Sequence, residues 1–150
     1  MKYFSLKELT YSNKALASGI DNTPTKQQEY NLIKLVDAIL DPLREKYGKP
    51  ITVSSGFRNN KVNSLVGGSK SSQHLEGKAA DLQVIINKKI DCVENRKLYD
   101  ILVNNKFPFD QLIIEKGTKD KPMWIHVSYD ETRNRREKLY KHDGKNYVKL

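Results

Sequence analysis

Few residues of this chain can do chemistry, and the three histidines lead them. His74 is followed seven positions later by Asp81, in His74-Leu75-Glu76-Gly77-Lys78-Ala79-Ala80-Asp81. Gly77 supplies a turn between them, so a loop imidazole and a strand carboxylate can converge. His126 sits in Trp124-Ile125-His126-Val127-Ser128. Its apolar neighbours should face a core, leaving its ring on the same strand face as Trp124 and Ser128. Two imidazoles and one carboxylate make a three-ligand set for Zn²⁺, with the fourth tetrahedral position left to water. An open site of that kind generates hydroxide near neutral pH and polarises a carbonyl. Spacing alone leaves the alternative open that these histidines are ordinary core or surface residues.

The elements that must position these groups follow from patterning. Ser5-Leu6-Lys7-Glu8 carries a capping-box signature, and short helical turns should run to about Ser18, ended by Gly19. Thr25-Lys26-Gln27-Gln28 opens the strongest helix, with apolar residues at Leu32, Ile33, Val36, Ile39, Leu40, Leu43 and Tyr47. Pro42 should kink it, and Gly48 and Pro50 end it. Residues 51–55 read as a strand, 61–66 as a short helix, 69–78 as loop and 79–86 as a second strand with Asp81 and Gln83 on one face. Asp91 caps a further helix, expected to be buried through Val93, Leu98, Ile101 and Leu102. Residues 111–115 and 124–129 read as paired strands, and Asp143-Gly144 marks a terminal hairpin. Helices come mostly first and strands later, which predicts an α+β domain over residues 1–150, an antiparallel sheet covered by helices.

Composition narrows the setting. The chain has 150 residues, 37% hydrophobic and 30% charged, which suits a globular domain and excludes disordered or collagen-like order. No apolar run is long enough for a membrane span. The opening Met1 to Glu8 lacks the apolar run of a cleaved secretory signal, so synthesis in the cytoplasm is expected. The one cysteine, Cys92, excludes an internal disulfide and reads as a small packed hydrophobe. Lys and Arg number 27 against 18 Asp and Glu, giving a net charge of +9 that favours anionic partners.

Ser55-Gly56-Phe57-Arg58, Ser72-Gln73-His74 with its His-x-x-Gly-x-Ala-x-Asp run, and Trp124-Ile125-His126-Val127-Ser128 occur in one order along the chain. This ordered set resembles the M15 family of zinc D-Ala-D-Ala carboxypeptidases and related phage peptidoglycan peptidases, from Phe4 to Tyr129. The resemblance implies the fold of the hedgehog and D-Ala-D-Ala peptidases, with Zn²⁺ held by His74, Asp81 and His126. It also implies a cytoplasmically made protein, bacterial or phage-encoded, that reaches the cell wall and cuts peptidoglycan stem peptides. Arg58 matches the arginine that binds substrate or steadies a developing oxyanion, for which a permanently charged fork of donors is suited. Ser72, Gln73 and Trp124 match positions that shape the substrate cleft.

Many members of that family carry an acidic general base three residues before the last histidine. Here that position is Met123, which cannot accept a proton. Glu115 is the expected substitute: if it pairs near Trp124, its carboxylate lies diagonally beside His126. Asp110 and Glu76 are weaker candidates. The basic segment at about 130–150, with Arg133, Arg135, Arg136, Lys138, Lys141, Lys145 and Lys149, reads as a solvated terminal hairpin, with adhesion to an anionic wall polymer as the functional alternative. His142 is placed on that hairpin surface. A monomer is expected, and nucleic acid is the least favoured partner. The rival to an active peptidase is a catalytically weak zinc-fold protein that binds the wall or serves a virion.

Overall fold

The computed structural model describes residues 1–143 and 145–150. Two short helices, α1 (Leu6–Thr10) and α2 (Asn13–Ala17), open the chain. Ser5 Oγ accepts from the Glu8 backbone N–H, but the Glu8 carboxylate turns to the backbone of Val53 instead of closing the expected box. The box at α3 (Lys26–Leu35) is complete: Thr25 Oγ1 accepts from Gln28 N, and Gln28 Oε1 accepts from Thr25 N. The helix continues through a π-turn, Val36–Leu40, into α4 (Asp41–Tyr47). The wide turn lies just ahead of Pro42, which falls in the first turn of α4, where a missing N–H is tolerated.

Strand β1 (Thr52–Ser55) leads to α5 (Asn60–Leu65), a 3₁₀ turn at Gln73–Glu76 within the expected loop, and β2 (Ala79–Gln83). The expected second strand stops at Val84, whose N–H donates to Asn95 Oδ1 and whose carbonyl accepts from Asp91 N. A small ribbon of β3 (Ile85–Ile86) and β4 (Lys89–Ile90) follows, turned by Asn87 and Lys88 in positive-φ backbone. Helix α6 (Cys92–Asn104) buries Asn95, Leu98, Tyr99 and Leu102 at the 3.6-residue period. Val93 was expected inside but points away from that stripe and is 52% exposed.

Strands β5 (Gln111–Glu115), β6 (Trp124–Ser128), β7 (Glu137–Lys141) and β8 (Val148–Lys149) complete a six-stranded sheet of order β1-β2-β6-β5-β7-β8. The antiparallel expectation holds except at one ladder: β7 runs parallel to β5, Ile113 opposite Leu139 and Glu115 opposite Lys141. The C-terminal segment is therefore not a free-standing solvated hairpin. β7 and β8 do pair antiparallel; Gly144, on which the expected turn rests, lies outside the described residues.

Alternation divides the sheet into two faces. Ala80, Leu82, Leu112, Ile114, Ile125 and Val127 enter the core formed with Leu32, Leu35, Ile39, Leu43, Leu98 and Leu102 of the helices. Fully burying each large aliphatic side chain contributes about 1.5–3 kcal/mol. The opposite face carries Asp81, Ile113, Glu115 and His126, and it is the floor of a cleft of about 860 Å³.

Candidate active site

The core on one face forces the polar residues of the same strands onto the other. Because β2 and β6 pair with Asp81 opposite His126, the strand carboxylate and strand imidazole are cross-strand neighbours. His74 arrives from the 3₁₀ turn. Gly77, at φ +73°, reverses the chain between His74 and Asp81 in a conformation that side chains strain, and a Cβ there would sit 2.6 Å from the Gln28 carbonyl oxygen.

The ring of His74 is oriented from behind. Its Nδ1 lies 2.7 Å from the Gly56 carbonyl oxygen, so Nδ1–H donates there and Nε2 keeps its lone pair facing the cleft. Gly56 itself passes so close to α1 that a Cβ would lie 2.2 Å from the Leu9 carbonyl oxygen. The Ser-Gly-Phe-Arg motif thus has a backbone reason: only glycine lets the strand end come near enough to brace His74.

His74 Nε2 is 3.3 Å and His126 Nδ1 is 3.1 Å from the same oxygen, Asp81 Oδ1. The three ligand atoms all lie within 4.8 Å of one another. Donors around a tetrahedral zinc at about 2.0–2.1 Å stand about 3.3 Å apart, so the set fits such an ion. Burial alone pushes the Asp81 carboxyl up, but the two adjacent imidazoles outweigh it and hold it well below the usual carboxylate range.

Glu115 stands directly opposite Trp124, one diagonal step from His126, in the register expected from sequence. Burial first, then repulsion from Asp81, push its carboxyl above the usual value, against the pull of His126, Lys141 and Arg58. Asp110 and Glu76 are excluded from the cleft. Asp110 is fully buried and bound by Gln73, Arg133 and Arg135, while Glu76 is exposed beside Lys78. Met123 faces away too: its Sδ lies 3.8 Å from the Cys92 Sγ, on the α6 side of the sheet.

Arg58 and Ser72 line the opposite wall, with Arg58 Nη2 3.5 Å from Ser72 Oγ. Arg58 Nε, Trp124 Nε1 and Gln73 Oε1 are buried polar atoms with no protein partner. Such atoms at a cleft are unmet donors and acceptors available to a ligand. His142 is exposed and bonded to Tyr140 on β7, not grouped with the other two histidines.

A family profile described as Peptidase M15 matches residues 2–128. The chain belongs to the Peptidase M15 family. A zinc D-Ala-D-Ala carboxypeptidase from Streptomyces albus G is 52% identical over 44 residues, which are 29% of this chain and 17% of that relative. The chain thus spans less than a fifth of the length of the curated relative it matches.

In this M15 chain, the cleft residues Lys116, Glu137 and Leu139 escaped the sequence reading, and Lys141 and Lys149, expected on a solvated hairpin, line the cleft as well. The alternation of Glu137, Leu139 and Lys141 was a visible signal. Their parallel partner β5 was not, because no local pattern announces a pairing 26 residues away. Among the described residues, no helix is long and apolar enough to cross a membrane.

Proposed function

We propose that this chain is a zinc-dependent peptidase that hydrolyses the peptide stems of bacterial peptidoglycan. The observation that carries the reading is the convergence of His74, Asp81 and His126 on one point of the cleft floor, one strand from the carboxylate of Glu115. The M15 membership and the zinc D-Ala-D-Ala carboxypeptidase relative support it.

His74, Asp81 and His126 hold the ion, with Gly56 fixing the tautomer of His74. Zinc bound there lowers the pKa of a water and polarises the scissile carbonyl. Glu115 takes the proton from the attacking water and returns it to the leaving amine. Its desolvated position raises its basicity toward the working pH, which favours this exchange. Arg58, charged and partly desolvated, binds the substrate carboxylate or the developing oxyanion from the opposite wall. Trp124 gives the peptide an apolar surface and an unmet N–H.

The test is incubation of zinc-loaded protein with defined muropeptides, with and without chelator, read by mass spectrometry. Chelator-sensitive loss of one terminal alanine establishes a carboxypeptidase, and an internal cut establishes an endopeptidase. No product across the panel refutes the reading.

A further inference from the structure

The segment after residue 128, beyond the family match, builds one wall of the cleft. Strand β7 lies parallel to β5 with Lys141 opposite Glu115, so Lys141 projects from the same face as the metal-ligand candidates. β8 continues that face with Lys149, next to Leu139. The Lys141 ammonium donates to Tyr147 Oη at 3.2 Å and sits 4.8 Å over the Tyr147 ring, which fixes a long side chain in place. Lys116, at the end of β5, lies over the Trp124 ring. Among the described residues, none of Lys116, Lys141 and Lys149 has a carboxylate within 4.0 Å, whereas Arg133 and Arg135 are committed to Asp110. The wall therefore carries three cations with no carboxylate among the described residues within 4.0 Å, beside the buried Leu139, while Glu115 and Glu137 line the same cleft and Lys141 attracts Glu115 from a longer range.

We propose that Lys141 and Lys149, with Lys116 at the rim, form a subsite for a carboxylate of the peptide substrate, remote from the bond that is cut. The proposal rests on the peptidase reading above. Its reach follows from the sheet: Lys141 pairs with Glu115 and Glu115 with Trp124, so Lys141 lies two strand spacings across and two residues along from His126, about 12 Å. An extended peptide covers that distance in about three to four residues. The selected substrate therefore carries its acidic group about three to four residues from the scissile bond, on the side away from Arg58.

The experiment uses pentapeptides ending in D-Ala-D-Ala, with Glu or Gln placed in turn at each of the other three positions. Calorimetry with the metal-free protein reads binding without turnover. The wild type is expected to bind one Glu peptide roughly fivefold to tenfold tighter than its Gln counterpart, the scale of one or two partly exposed ion pairs. That preference disappears in Lys141→Met/Lys149→Met and in the single variant Lys149→Glu, whose exposed position leaves folding intact. Equal binding of all Glu and Gln pairs, or a preference that survives both variants, overturns the subsite. Inorganic phosphate binding more tightly than any Glu peptide, and lost in the same variants, overturns the carboxylate assignment in favour of a phosphate polymer. Turnover of the same peptides by zinc-loaded protein is scored separately. A Glu preference without hydrolysis supports the subsite and refutes the peptidase; hydrolysis without a Glu preference does the reverse.

Discussion

Asp110 is the carboxylate on which the architecture around the site depends most, and Asp110→Ala puts a number on it. Its Oδ1 accepts from Arg135 Nε at 2.8 Å and from the Arg135 backbone at 3.1 Å. Its Oδ2 accepts from Gln73 Nε2 at 2.9 Å, Arg135 Nη2 at 3.2 Å and Arg133 Nη2 at 3.3 Å. The arginine side chains are 55% and 41% exposed, so water recovers most of their lost bonding. Gln73 is buried and does not recover it, and an unmet buried amide costs about 1–3 kcal/mol. Adding a modest charged-bond loss gives about 3 kcal/mol in total, at the lower end of the 3–5 kcal/mol range for breaking a fully buried pair. At about 2–4 °C per kcal/mol, the melting temperature should fall by about 6–12 °C. The sign with pH is also set. Burial pushes the Asp110 carboxyl up, but Arg135 and Gln73 more than offset this and hold it below its usual value. Its contribution is therefore complete above about pH 4, the unfolded value, and is lost as pH falls through the lower folded value. Thermal and urea unfolding of wild type and variant at pH 7 and pH 3 measure both effects. A loss under about 1 kcal/mol at pH 7, or a gap just as wide at pH 3, refutes the reasoning.

Other outcomes follow from the same geometry. Glu115→Gln should retain zinc, measured by atomic absorption, while losing about 10²–10⁴-fold in kcat. In the wild type, kcat/KM should fall as pH drops through a Glu115 pKa above the ordinary glutamate value, because the base must be unprotonated; the Gln variant lacks that limb. Adding Met123→Glu to Glu115→Gln should not restore turnover, since position 123 packs against Cys92. His126→Ala should abolish stoichiometric zinc binding, as read by equilibrium dialysis. Gly77→Ala should destabilise by more than the usual helix or loop substitution, about 1–3 kcal/mol, because it adds positive-φ strain to a 2.6 Å contact with Gln28; chemical unfolding checks it.

What the sequence made legible is what is local or periodic. The Thr25 cap, the α6 start at Asp91 and the turn at Gly77 rest on neighbours within a few positions, and the β5–β6 pairing on two alternating runs joined by one polar turn. The departures come from partners that no local periodicity announces. Asn95 and Asp91 capture the backbone of Val84 and end β2 early, which no alternation pattern around residues 79–86 discloses. The parallel β5–β7 ladder turns an apparently solvated basic tail into a wall of the cleft. Arg133 and Arg135 look like surface charge until Asp110, buried beneath them, is seen to need both. Charge density in a terminal segment points to partners of anionic kind only; where those charges sit in the fold comes from non-local pairing.

The absence of an acid at Met123 has a different weight once strand parity is considered. A proton acceptor for the attacking water must lie on the cleft face, within hydrogen-bond reach of the metal-ligand candidates. On β6 the cleft face takes positions 124, 126 and 128, and on β5 it takes 111, 113 and 115. Position 123 precedes β6 with its side chain against α6, and its backbone N–H is already spent on the Glu115 carbonyl. A glutamate at 123 would therefore meet Cys92 and the helix, not the water. Among the cleft-face positions of β5 and β6, Glu115 alone is a carboxylate. The same parity that sends Ile114 and Ile125 into the core places Glu115 diagonally beside His126. The base and a ligand are thus set by one register, and a one-residue slip of β5 against β6 would turn Glu115 into the core while exposing Ile114. The packing of Leu112 and Ile114 beneath the sheet, which opposes that slip, is for this reason part of what keeps the proposed base in place.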